Sequence, residues 1–155
     1  MPNSDHGKRR ATWASKATVD DQTRQRWLRS SSTTNWVHCG TRWDAVAVHP
    51  LERGLEALDL LDIAAGEGYP VLADHLSSRL YVMVPAGTGA AADGLPGVRV
   101  LSNGHQVLVP LSGHGSAAAD WISEPLPGAP RLWDVEQLVG ALRERDTADR
   151  QAVTS

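Results

Sequence analysis

The chain has 155 residues, 41% of them hydrophobic and 21% charged, with a formal charge of −3. These values suit one domain around one core and exclude both a disordered polyampholyte and a uniformly basic nucleic-acid binder. Residues 1–29 hold seven Lys/Arg against three Asp, a net of +4 that leaves −7 on the remainder, so a polyanion would meet the N-terminal end first.

Cys39 is the only cysteine, no apolar run is of membrane-spanning length, and the first twenty residues lack a secretory signal's apolar stretch. A cytoplasmic protein with no membrane partner is expected. Residues 1–10 read as a flexible basic N-terminus, 11–146 as the folded domain and 147–155 as a disordered tail without apolar pattern.

In chain order, "TVDDQTRQRWL" predicts a helix with Thr18 as N-cap, Asp20 and Asp21 in its first turn, and Trp27 and Leu28 turned to the core. The Ser30–Thr34 run ends it. "NWVHC" and "WDAVAV", with Gly40 and Thr41 between them, read as two strands or a hairpin. Leu51, Leu55, Leu58 and Leu61 recur at helical spacing, with Glu52, Glu56, Asp59 and Asp62 pointing outward and Gly66 as the stop.

Strand signals follow in "PVLAD", "LYVMVP", "VRVL" and "HQVLVP", the last two joined by Ser102-Asn103-Gly104, a hairpin signal. Ala86–Gly97 is small, polar and Gly-rich, and reads as a mobile connection; it lacks the lysine and helix of a P-loop. A last helix begins at Asp134 with Gln137 completing a capping box, and ends near Arg145. Helices interleaved with strands, one pair of them joined by Asn-Gly, predict a single α+β domain with a mixed or mainly antiparallel sheet flanked by helices.

The ordered motifs "GKRR" (7–10), "ATVD" (17–20), "RWL" (26–28), "NWVHCG" (35–40), "AVAVHP" (45–50), "SSRLYVMVP" (77–85), "VRVLSNG" (98–104) and "VLVPLS" (107–112) resemble the bifunctional DNA primase/polymerase N-terminal domain, the Prim-Pol family, over roughly residues 7–122. That resemblance implies a primase-polymerase-like α+β fold and a two-metal site whose carboxylates hold divalent ions for nucleotidyl transfer. It also implies that this chain is a truncated, degenerate member. The two aspartates of the family's Asp-x-Asp fall at Ala47 and His49, the third acid at Arg99, and the phosphate-contacting histidine at Arg79.

Asp44 lies an odd number of residues from Ala47 and so faces the other side of the strand, and Asp74 and Asp93 are expected in loops. No enzyme activity, metal or cofactor is therefore expected. Two acids held together without a cation would repel and be desolvated, a cost that alanine and histidine relieve.

Lys8, Arg9, Arg10, Arg79 and Arg99 are the candidate phosphate-reading cations, since arginine binds phosphate through a fork without a bridging metal. Trp13 is the candidate exposed stacking ring, while Trp27, Trp36 and Trp121 are expected to pack in apolar elements. The competing reading of the two strand arginines is protection of sheet edges from aggregation. His38, Cys39, His49, His105 and His114 lack the tight spacing of a zinc site, and Ser112 with His114 lacks a nucleophile elbow.

The sequence thus predicts a non-catalytic domain that binds DNA or nucleotide phosphates in a regulatory or accessory role. The alternative is a protein-interaction module or homodimer formed through the sheet or the Leu51–Leu61 helix.

Overall fold

The computed structural model describes residues 12–29, 34–64, 67–111, 115–128 and 131–154. Lys8, Arg9, Arg10, Gly66, Ser112 and His114 lie outside them. Strands β2 (Trp43–Val48), β3 (Val71–Asp74), β4 (Arg79–Pro85), β5 (Val98–Leu101) and β7 (Asp120–Ser123) form one sheet in the order β5-β2-β4-β3-β7, while β1 (Thr34–His38) and β6 (Gln106–Pro110) form a second. Every described pairing is antiparallel.

Alternation along β2 sends Val46 and Val48 to a core shared with α1 (Trp13–Ala17), α3 (Leu51–Leu60) and α4 (Val135–Thr154), and Trp43 and Ala45 to a second core shared with Val107 and Val109 of β6. The α+β architecture thus has helices on one face of the main sheet and a two-stranded ribbon against the other.

Helix α3 keeps its predicted apolar face, with Leu51, Leu55 and Leu58 buried. It approaches the sheet closely because position 54 is glycine: a Cβ there would lie 2.7 Å from Leu80 Cδ2 and 3.3 Å from Val48 Cβ. The charges at 52, 56, 59 and 62 are exposed as expected.

Several expectations are corrected. The helix expected from Thr18 starts later, as α2 (Asp21–Arg29), with Asp20 accepting from Thr23 N at 2.7 Å at its start; Thr18 instead caps the C-terminus of α1, a helix the sequence pattern did not predict. No residue of α2 is buried, and Leu28 is 81% exposed. The α2 stripe lies over a cleft rather than the core.

The Asn-Gly turn forms, with His105 N donating to Ser102 O, but it does not make a hairpin. Beyond it Cys39 N donates to His105 O, so β1 captures β6, while β5 stays on β2. For the same reason β1 and β2 are not paired with each other. The Ala86–Gly97 connection is ordered rather than loose: it contains a 3-10 turn at Gly89–Ala92, and Asp44 accepts from Gly87 N and Gly89 N at 3.0 and 2.9 Å.

Helix α4 continues to Thr154, past the end expected near Arg145. Asp134 caps it, accepting from Glu136 N and Gln137 N. Its later turns are tied to α3 by Arg53–Asp146 at 2.7 Å and Arg145–Glu56 at 3.7 Å, and charge pairing replaces the apolar pattern there.

Two glycines of the helices predict opposite outcomes. Gly54→Val should lower stability by about 1–3 kcal/mol through overpacking, whereas Gly140→Ala, where a Cβ meets nothing within 4 Å, should raise it by about 0.5–1 kcal/mol. Urea denaturation of the two variants checks both signs.

Candidate functional site

Strand β2 lies between β5 and β4, which places Ala47 opposite Arg99 on one side and Tyr81 on the other. Directly paired residues share a face, and so do residues two apart on one strand. Arg79 therefore stands on the same face as Tyr81, Ala47 and Arg99. A cavity of about 250 Å³ is lined by Ala47, His49, Arg79, Gly97, Val98 and Arg99. Ala47, His49, Arg79 and Arg99, the four positions at which the resemblance places site residues, meet at this one place.

Ser78 fixes the geometry. Its carbonyl lies 2.9 Å from His49 Nδ1, and its hydroxyl accepts from Leu51 N at 3.1 Å, so the β3–β4 turn is bonded to the junction of β2 and α3. A carbonyl can only accept, so Nδ1 carries a proton and Nε2 is the ring's remaining nitrogen. Ser78 holds φ at 56° to make both bonds, a left-handed conformation that costs a non-glycine residue about 1–2 kcal/mol.

The opposite wall is equally constrained. His49 N donates to Gly97 O at 2.9 Å. Gly97 has φ of 70°, and a Cβ there would collide with His49 O and lie 2.7 Å from Arg53 Nη1. Arg53 in turn donates to Pro96 O and pairs with Asp146 of α4.

No acid lines the cavity. Among the described residues no carboxylate lies within ion-pair distance of Arg79 or Arg99, both of which are exposed. Arg99 sits on β5, an edge strand, where protection against aggregation also explains it. That explanation does not reach Arg79, which begins β4 inside the sheet.

Asp44 faces the other side of β2, as expected from its odd spacing, and is 1% exposed. Its carboxylate accepts from Ser102 Oγ at 2.8 Å as well as from the two glycine amides. Asp74 ends β3 rather than lying in a loop, and accepts from Leu76 N, Ser77 N and Ser77 Oγ. Both acids hold turns together.

Two of the tryptophans, Trp13 and Trp36, reverse the sequence expectation. Trp13 is 3% exposed, with its indole donating to Ile63 O and its ring 5.6 Å from that of Trp133, so it is a core residue and not a stacking platform. Trp36, expected to pack, is 59% exposed on β1. Trp121 is partly buried against the second core.

Sequence reasoning missed Ser78, Gly97 and Tyr81. Tyr81 was legible as the second residue after Arg79 on one strand face; the roles of Ser78 and Gly97 depend on loop approaches that no local pattern encodes.

Among the described residues no three or more of His, Cys, Asp and Glu gather as a metal site, and no helix is long and apolar enough to cross a membrane. The family model for the bifunctional DNA primase/polymerase N-terminal domain matches residues 1–132. Searches of curated proteins and of solved structures return no match.

Cys39 is 2% exposed. Its burial, followed by the charge of Asp44, pushes the thiol up from 9.0 to about 11. The folded state thus holds this proton more tightly than the unfolded chain does. The associated stability is present below pH 9 and should be lost as pH rises toward 11. Denaturation midpoints of the parent and Cys39→Ser across that window check this, the parent alone showing the cysteine's share of the decline.

Proposed function

The chain belongs to the bifunctional DNA primase/polymerase N-terminal family, which gives it a nucleic-acid-related role, and from that premise we propose that it binds DNA or nucleotide phosphates without catalysing nucleotidyl transfer. The observation that carries this reading is the shared cavity of Ala47, His49, Arg79 and Arg99, which offers two guanidinium groups and no acid. Two-metal transfer requires anionic oxygen ligands at these positions. Alanine and two cationic arginines instead favour an anion held directly, by forked hydrogen bonds and charge.

The size of the cavity supports a group such as a phosphate rather than a whole nucleotide, since ligand pockets for drug-sized molecules span roughly 300–1,000 Å³. Lys8, Arg9 and Arg10 enter this proposal from their charge and sequence position alone. The role is regulatory or accessory.

A second reading, a protein-contact module, is favoured by Trp36, 59% exposed on β1, which pairs with β6 along one edge. The Leu51–Leu61 helix is a poor candidate for that contact, because Leu51, Leu55, Ala57 and Leu58 fill the core.

Fluorescence anisotropy of labelled single- and double-stranded DNA at two salt concentrations tests the proposal. Binding should weaken steeply with salt. Arg79→Ala with Arg99→Ala should lower the slope of log K against log salt by about 2, near one per lost phosphate contact. Salt-independent binding, or equal binding by the double variant, refutes the phosphate reading. Mg²⁺- or Mn²⁺-dependent primer extension by the purified chain would refute the non-catalytic one.

A further inference from the structure

A second cavity lies elsewhere, with none of its lining shared with the Arg79–Arg99 site. It has a volume of about 540 Å³ and is bounded by Arg24, Trp27 and Leu28 of α2, by His75 and Leu76 of the β3–β4 turn, and by the Ser116–Ala118 turn before β7. That volume suits a mononucleoside-sized molecule. Its lining is mainly aliphatic and aromatic, with a guanidinium at the side.

The aromatic wall is a built feature. The rings of Trp27 and His75 lie 5.8 Å apart at 34°, a tilted aromatic pair. His75 is held in place from two sides: its backbone N donates to Ala117 O at 2.8 Å, and Nε2 lies 2.9 Å from Asp120 Oδ2. A carboxylate accepts, so Nε2 is the protonated nitrogen, and among the described residues no hydrogen-bond partner meets Nδ1.

The rim is apolar and uncovered. Leu28 and Leu76, 81% and 76% exposed, are the two most exposed large hydrophobic residues among those described, and both border this cavity. Among the described residues Arg24 is paired only with Asp21, at 3.5 Å, whose side chain is 97% exposed. Such surface pairs contribute little, so the guanidinium can exchange that partner for a ligand anion.

The geometry points to a second binding site, for a planar aromatic ring that carries an anionic group. The ring stacks on the Trp27–His75 wall under Leu28 and Leu76, and the anion meets Arg24. A nucleoside monophosphate has this chemistry, and so does one unstacked nucleotide of a single strand. Double-stranded DNA, with its bases stacked and paired, does not. The site is independent of the Arg79–Arg99 reading.

The test is isothermal titration of the Arg79→Ala plus Arg99→Ala chain, which removes the first site, with adenosine 5′-monophosphate, ribose 5-phosphate and a short oligodeoxyadenylate. The monophosphate or the oligonucleotide should bind about tenfold or more tighter than ribose 5-phosphate, and Trp27→Leu should weaken that binding by about tenfold or more. Leu76→Glu, at a position exposed enough to leave folding untouched, should weaken it too by opposing the anion. Tighter binding of the monophosphate marks a free nucleotide as the source, and tighter binding of the oligonucleotide marks a strand. Equal affinity for the ringless sugar phosphate, or indifference to both substitutions, overturns the proposal. So does self-association lost in Trp27→Leu without nucleotide binding, which would give the groove to a second copy of the chain.

Discussion

Strand β2 is buried along its whole length, and that burial limits which ionisable groups the sheet can carry. A carboxylate at Ala47, 5% exposed, would lose most of its hydration. It would then require a cation, a set of hydrogen-bond donors, or protonation. Asp44 illustrates the second solution: three donors surround it, and the loop that supplies two of them is thereby fixed to the sheet. At position 47 the residue is apolar. The charge near it comes from longer side chains that start on neighbouring strands and reach solvent.

Much of this arrangement was legible in the sequence. The apolar period of the Leu51 helix, the alternation along β2 and β4, and the ordered family motifs were enough to bring Ala47, His49, Arg79 and Arg99 together before any coordinates. Pairing partners were less legible. The Asn103–Gly104 turn has the local chemistry of a hairpin, yet its flanking strands join different sheets, because β1 supplies β6 with a ladder from residues about seventy positions away. Local turn preference fixes how the chain bends; which strand it meets next is a long-range outcome.

Tryptophan burial was the least legible property. Trp13 sits among polar and small residues in sequence, but α1 lays it against Trp133, and Asp59 of α3 accepts its backbone N. Trp27 and Leu28 lie on an element that reads as amphipathic, and the stripe exists, but it faces the cleft beside His75. An apolar stripe signals that something covers it. In this chain part of that something is left to solvent.

The extension of α4 to Thr154 has a geometric consequence for joining other molecules to this domain. A reporter fused through a continuous helical linker after Thr154 takes its orientation from the helix. Each added residue turns it by about 100° around the helix axis and advances it by about 1.5 Å. Linker length therefore acts as an angular setting, and a series differing by single residues would sweep the reporter around the domain, bringing it toward α3 at some lengths and away from it at others.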